Sequence, residues 1–199
     1  MNSEKINPVV GIIGVGVAIV SLSLQAFGWN WKPTLFGGAN DRFSCQLRDY
    51  LSEKAQLFTV VYNNGKTTQP WLRMVNTFGT DWGTPKRCEE IAKRLEGFRK
   101  DGLLELTYRN DPNTPNQAVI CAITKSSGKK CELLVTLKPG ANGYESLKKA
   151  LEALETGNTV DEISNGGSSA SSLSPASPSV PLVNLLADED LKAGLDATK

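Results

Sequence analysis

The cysteines are the residues whose type and number point most directly to chemistry in this 199-residue chain. Their even number, with no CxxC spacing, favours two structural disulfides, for which four cysteines allow three pairings. The chain has no histidine, so the commonest metal ligand and the commonest general base are missing. We therefore predict disulfides and assign no catalytic residue, no metal site and no cofactor. The candidates are Cys45, Cys88, Cys121 and Cys131.

Trp71, Arg73 and Trp82 form a second group, of the residue types that anchor interfaces. Tryptophan and arginine are enriched among the residues that contribute most to binding free energy. These three residues are therefore a possible interaction surface. The alternative is that the tryptophans belong to the core, where a small domain more often places them.

Charge is distributed unevenly along the chain. Residues 41–160 carry a net charge of +4, whereas residues 161–199 carry a net charge of −4. A nucleic-acid-binding domain is expected to show a basic stripe with interleaved aromatic residues, and this modest positive charge does not indicate one. We therefore predict no nucleic-acid partner.

The N-terminal segment 1–32 is predicted to be a membrane anchor. Residues 9–28 contain no charged side chain, and eleven of them are Val, Ile, Leu or Phe. A helix of this length spans about 30 Å, the thickness of a bilayer core. Trp29, Trp31 and Lys32 follow at the position of an interfacial belt. A cleaved signal peptide and a buried core helix are the alternatives. The first lacks an A-x-A pattern, and four glycines disfavour the second.

The cysteines also indicate a compartment. Disulfides persist in oxidising environments. We therefore expect a protein that contacts the membrane through residues 9–28 and places its domain on the periplasmic or thylakoid-lumen side. The alternative is four reduced, buried cysteines in a cytosolic protein.

Residues 41–157 have the pattern of a four-cysteine α+β domain. Short β-branched and aromatic runs alternate with turn signals and with two stretches of helical periodicity. The order of three strands, a helix, three strands and a helix predicts an antiparallel sheet of about six strands with two helices on one face. The predicted strands are 43–51, 57–62, 69–75, 103–108, 117–124 and 131–137. The predicted helices run from an N-cap at Thr84 to a stop at Gly102, and from Tyr144 to Glu155.

Two cysteine positions follow from these elements. Cys88 lies on the apolar face of the first helix, so a bridge from it to a strand is reasonable. A hairpin turning at Ser127 and Gly128 would place Cys121 opposite residue 133, which makes Cys131 a candidate partner.

The C-terminal part of the chain is predicted to be a disordered tail. Residues 158–181 form a linker rich in Ser, Pro and Gly, a composition that cannot bury a core. Residues 182–199 then form a short acidic amphipathic segment, with Leu182, Leu185 and Leu186 as a possible docking motif for a partner. The alternative is a solvated, frayed end.

The ordered set of four cysteines, with a Pro-Trp pair and an Arg-Cys pair between them, resembles the circadian oscillating protein family of cyanobacteria over residues 43–151. The residues that carry this resemblance are Phe43-Ser44-Cys45, Pro70-Trp71, Arg73, Trp82, Arg87-Cys88, Arg94, Val119-Ile120-Cys121, Cys131 and Leu137-Lys138-Pro139-Gly140.

The resemblance implies a membrane-associated, usually exported protein of unestablished molecular function, and it supplies no catalytic residues. The chain departs from the family pattern in its retained anchor and its long C-terminal tail. We therefore expect a non-catalytic, membrane-anchored binding or scaffolding module for an unidentified protein or cell-envelope partner. The alternatives are an assembly or stability factor for a membrane complex, and a cell-envelope hydrolase that uses paired carboxylates.

Overall fold

A computed structural model describes residues 34–38, 40–51, 53–77, 81–111, 113–162 and 179–193. Within these residues the chain forms the expected mixed α+β fold. The predicted anchor at residues 9–28 lies outside them. In the part of the chain that is described, no helix combines the length and the hydropathy of a membrane span.

Strands and helices follow the predicted order, with short additional elements at both ends. The strands are β1 (Thr34–Phe36), β2 (Phe43–Tyr50), β3 (Ala55–Asn63), β4 (Thr68–Arg73), β5 (Leu103–Asp111), β6 (Thr114–Thr124), β7 (Glu132–Thr136), β8 (Val160–Asp161) and β9 (Ser179–Pro181). The helices are α1 (Thr84–Lys100), α2 (Gly143–Thr156) and α3 (Asp188–Lys192).

The strands form two sheets, so the prediction of one sheet of about six strands is wrong. The first sheet has the order β1-β2-β3-β4-β8, and the second has the order β7-β6-β5-β9. A single sheet that follows the chain order would require β4 to pair with β5. That pairing is blocked because β8 pairs with β4 in parallel and β9 pairs with β5 antiparallel, so both edges are already occupied.

Local sequence signals explain the bounds of α1. Pro85 lies in the first turn, where its missing N–H costs no hydrogen bond. Gly102 follows the helix at φ +78°, a left-handed conformation that favours glycine. Thr84, expected as the N-cap, is instead the first helical residue, and Gly83 occupies the cap position.

Helices α1 and α2 each contact strands of both sheets, rather than one face of a single sheet. The core is therefore shared between the two strand meanders. Trp71 on β4 is 1% exposed, and its indole Nε1 donates to the carbonyl of Ala150 in α2 at 2.6 Å. The rings of Phe43 and Tyr62 stack beside it, with centroids 4.8 Å apart.

Two disulfides link these elements. Cys45 on β2 bonds to Cys88 on α1, with Cα atoms 5.5 Å apart. Cys121 on β6 bonds to Cys131 just before β7, with Cα atoms 5.2 Å apart. The hairpin register agrees with the prediction, because Cys121 lies opposite Leu133. Of the three possible pairings, the fold selects the one that joins neighbouring elements.

The end of the predicted tail is part of the folded domain. We call residues 179–193 the C-terminal strap. Its strand β9 extends the second sheet, and Leu182 and Leu186 are buried in the domain's own core. The expectation of a disordered tail is therefore wrong for these residues, because Leu182 and Leu186 pack in the core of the same chain.

The two disulfides are expected to contribute unequally to stability. The bond between Cys45 and Cys88 spans 43 residues, and the bond between Cys121 and Cys131 spans 10 residues. In the chain-entropy model, replacing the first pair by alanine lowers the free energy of unfolding by about 4 kcal/mol, and replacing the second lowers it by about 2.7 kcal/mol. Urea denaturation of the two double variants measures both losses. An equal loss, or a larger loss for the short loop, would contradict the prediction.

Candidate functional site

A groove between helix α1 and strand β7 combines exposed apolar surface with charged side chains. We call it the α1–β7 groove, and its volume is about 310 Å³. Its lining residues are Trp82, Arg87, Glu90, Ile91, Arg94, Leu133, Leu134, Val135 and Thr136.

Helix α1 supplies one wall of the groove. Arg87, Glu90 and Arg94 are three and four residues apart, so they lie along one side of the helix. Strand β7 supplies the other wall, and it is the outermost strand of its sheet in the part of the chain that the structure describes. The groove therefore lies between a helix face and a sheet edge.

Two hydrophobic side chains remain substantially exposed at the groove. Trp82 is 39% exposed and precedes α1, and Leu133 on β7 is 42% exposed. The ammonium of Lys86 lies 4.5 Å from the centroid of the Trp82 ring, within the range of a cation–π contact. This contact supports the indole while leaving part of it accessible.

Arg94 connects the two walls. Its Nε donates to Glu90 Oε1 at 2.9 Å, and its Nη1 donates to the backbone carbonyl of Leu134 at 3.1 Å. A planar guanidinium can make both bonds at once because its donors point in fixed directions. Arg94 therefore bridges helix α1 and strand β7.

A buried ion pair adjoins the groove. Glu162 accepts hydrogen bonds from the backbone N–H groups of Val75 at 2.8 Å and Asn76 at 3.2 Å, and one of its oxygens lies 3.6 Å from Arg87 Nη2. Burial raises the pKa of Glu162, and the two backbone donors and Arg87 only partly offset this. Burial also lowers the pKa of Arg87, against the opposing charge of Glu162.

The structure separates the three residues predicted as an interaction surface. Trp71 is a core residue, as the alternative interpretation of the tryptophans held. Arg73 lies on β4, where it forms ion pairs with Glu53 and Asp161. Only Trp82 lines the α1–β7 groove.

Of the residues that line the α1–β7 groove, the sequence predicted only Trp82 as part of an interaction surface. The spacing of Arg87, Glu90 and Arg94 was a readable signal for a charged helix side. No sequence signal indicated that Leu133 would stand beside this helix, because that contact depends on how the second sheet packs. The groove lining contains one carboxylate, Glu90, whereas the hydrolase alternative requires two. In the described residues, no three acidic or cysteine side chains cluster closely enough to hold a metal ion.

The raised pKa of Glu162 predicts a pH-dependent contribution to stability. A carboxyl whose pKa is higher in the folded than in the unfolded state favours folding most below its unfolded pKa, and this contribution is lost as pH rises through the folded pKa. The free energy of unfolding of the wild type, relative to that of Glu162→Gln, should therefore fall as pH rises from about 4 to about 8. Urea denaturation across this range measures the difference.

The matched control for this prediction is Glu155→Gln, because Glu155 is an exposed carboxyl on α2. The contrary result is a stability difference between wild type and Glu162→Gln that is flat or rises with pH. That result would mean that the backbone donors and Arg87 lower the pKa of Glu162 at least as much as burial raises it, and it would overturn the prediction.

Comparison with known proteins identifies a family. The family model of the circadian oscillating protein COP23 matches residues 42–186, which is most of the chain. No curated protein and no solved structure gives a significant match. The family match extends well beyond residue 151, where the resemblance noted from the sequence ended. It includes β9 and both buried leucines of the strap, so that part of the tail is not an addition to the family domain. The chain belongs to the circadian oscillating protein COP23 family.

Proposed function

We propose that this protein is a non-catalytic binding module, anchored in a membrane by residues 9–28, whose α1–β7 groove binds an extended acidic segment of a partner protein. The observation that carries the proposal is the pairing of exposed Trp82 and Leu133 with guanidinium groups in one groove. Partly exposed aromatic side chains next to arginine are the usual anchors of protein recognition.

The charges of the groove favour an acidic partner. Arg87 and Arg94 line it, and Lys86 stands over the Trp82 ring. Glu90 is the one carboxylate in the lining and is ion-paired with Arg94, and Glu162 beside the groove is ion-paired with Arg87. Lys86 is therefore the cation of these three that neither carboxylate offsets. A bound carboxylate would add a charge-assisted hydrogen bond to Lys86, whereas a bound lysine would add repulsion.

The geometry of the groove favours an extended segment. One wall is the edge strand β7, and peptides commonly bind along such edges with alternate side chains entering pockets. In a segment that alternates apolar and acidic residues, we expect the apolar side chains to contact Trp82 and Leu133 and the carboxylates to face the cations. A segment that alternates apolar and acidic residues therefore matches the groove.

Two synthetic peptides test this proposal directly. One alternates Leu with Glu over about ten residues, a length that covers an ordinary strand, and the other alternates Leu with Lys. Fluorescence anisotropy with the wild-type protein should show at least about tenfold tighter binding of the Glu peptide, which corresponds to 1.4 kcal/mol. Trp82→Ala should weaken that binding by about 30-fold, as expected for a central aromatic anchor.

The control variants separate groove binding from nonspecific adsorption. Leu133→Ser removes exposed apolar surface from the groove and should weaken binding. Leu51→Ser removes an 89%-exposed leucine from the turn between β2 and β3 and should leave binding unchanged. Equal affinity for the two peptides, or equal effects of the two leucine variants, would contradict the proposal.

The proposed compartment rests on the two disulfides, because such bonds persist in oxidising environments. A membrane-impermeant maleimide should label no cysteine of the native protein in intact cells or opened membranes, and should label four after denaturation and reduction. Labelling of intact cells after reduction indicates a periplasmic domain, and labelling only of opened membranes indicates a lumenal one. Labelling without reductant on the cytoplasmic side would overturn the proposed compartment.

A further inference from the structure

The C-terminal strap contacts its own domain in the manner of a bound peptide. Ser179, Val180 and Pro181 pair antiparallel with the outer edge of β5, opposite Thr107, Leu106 and Glu105 respectively. The N–H of Leu182 continues this pairing by donating to the carbonyl of Leu104 at 2.8 Å. Strand addition of this kind supplies backbone hydrogen bonds to extended ligands in general.

Side chains along the strap then enter the domain at regular intervals. Leu182 is 1% exposed and Leu186 is 7% exposed, and both belong to the main core. Leu185 is partly buried against the same core. The strap therefore has two apolar anchors four residues apart, followed four residues later by Asp190.

Asp190 is the charged anchor of the strap. Its side chain is 1% exposed. Its Oδ2 accepts a hydrogen bond from the hydroxyl of Tyr62 at 2.6 Å, and its Oδ1 lies 3.2 Å from Arg42 Nε and 3.3 Å from Arg99 Nη1. Two guanidinium groups and one phenol therefore receive a single buried carboxylate. Such a charge is stable in a protein interior only when paired in this way.

Neighbouring groups strengthen the same end of the strap. The Tyr62 hydroxyl accepts from the backbone N–H of Ala187 at 2.8 Å, and Glu189 pairs with Arg42 at 2.6 Å. Lys125 Nζ donates to the carbonyls of Leu191 at 2.8 Å and Ala193 at 3.0 Å. Two of the strap's three acidic residues, Glu189 and Asp190, thus pair with cations of the domain.

Two of the three groups that receive Asp190, Arg99 and Tyr62, are held in place by contacts that do not involve the strap, and Arg42 Nη1 donates to the carbonyl of Asn63 at 3.5 Å. Arg99 forms a two-pronged ion pair with Glu96, at 2.5 and 3.0 Å. Glu96 in turn accepts from the backbone N–H groups of Arg42 and Phe43, at 3.1 and 3.3 Å. Tyr62 stacks on Phe43. Arg99 and Tyr62 are therefore preorganised, as in a binding site.

We propose that these groups, together with the edge of β5, form a peptide-binding site that the strap occupies in cis, and that the site binds the strap of a second copy of this chain when its own strap is released. The ligand class is an acidic extended peptide with two leucines four residues apart and an aspartate four residues after the second. The site is distinct from the α1–β7 groove, so the proposal stands independently of the function proposed above.

Covalent tethering controls which strap is bound. Residues 163–178 connect β8 to the strap, and a tether of this kind gives an effective concentration on the order of millimolar. A free peptide at micromolar concentration is therefore excluded from the wild-type site. Releasing the strap in cis removes this competition while leaving the receiving residues unchanged.

The test uses the full-length chain with Leu182→Ser, Leu186→Ser and Asp190→Asn, which weaken its own strap. A fluorescent peptide with the wild-type sequence of residues 179–193 is the probe. Anisotropy should show binding to the triple variant at least about tenfold tighter than to the wild-type chain. The same peptide carrying Asp190→Asn, and the triple variant further carrying Tyr62→Phe, should each bind at least about tenfold more weakly. The peptide change removes the buried charge, and Tyr62→Phe removes the hydrogen bond that the charge accepts.

A second measurement covers the case in which the triple variant does not fold. A protease site placed between residues 170 and 171 of the wild-type chain allows the strap to be cut free after folding. Native mass spectrometry should then show isotope-labelled strap peptide replacing the cut segment. A triple variant that is folded but does not bind the peptide would overturn the proposal, and so would a cut protein that unfolds or never exchanges its segment. In those cases the strap is an inseparable part of the core.

Discussion

The bond between Cys45 and Cys88 is the constraint on which the arrangement of this domain depends. It holds α1 against β2, and α1 contacts strands of both sheets. The α1–β7 groove and the site that receives the strap both include residues of this helix. Arg87, Glu90 and Arg94 line the α1–β7 groove, and Glu96 and Arg99 prepare the receiving site of the strap. A shift of α1 would therefore disturb both surfaces together.

Two buried carboxylates, one paired with each end of α1, show how the surroundings decide the cost of burying a charge. Asp190 meets two guanidinium groups and a phenol at hydrogen-bonding distances. Glu162 has two backbone donors but only a more distant guanidinium, and burial raises its pKa. Proximity of opposite charge stabilises an ionised group only when it offsets the lost hydration. Asp190 can therefore anchor the strap through direct charge pairing, and the contribution of Glu162 to stability is expected to depend on pH.

The short strands β8 and β9 have an architectural role larger than their length. Each occupies an edge that the strand meanders would otherwise leave open, and exposed edges invite pairing with other chains. Because β8 pairs with β4 and β9 pairs with β5, these edges do not join the two sheets to each other. Helices α1 and α2 contact strands of both sheets. Since β9 belongs to the strap, protection of the β5 edge and closure of the core are carried by the same segment.

Local signals in the sequence determined much of the secondary structure. Pro85 and Gly102 bound α1 because their backbone preferences act within one or two residues. The turn at Ser127 and Gly128 determined the hairpin register that brings Cys121 near Cys131. The four cysteines and the pattern around them also indicated the family, and the match over residues 42–186 established it.

Only the tertiary structure decided which elements meet. Trp71 and Trp82 have the same residue type, yet one is a core residue bonded to α2 and the other lines a groove, because burial depends on distant packing. The same holds for the strap, because the Ser- and Pro-rich sequence before it predicted a disordered tail from composition alone. Asp190 is held by Tyr62 and Arg99, at separations of 128 and 91 residues, and the N–H of Leu182 donates to the carbonyl of Leu104. Composition and periodicity describe local preferences, and contacts at such separations are set by the packing of the whole domain.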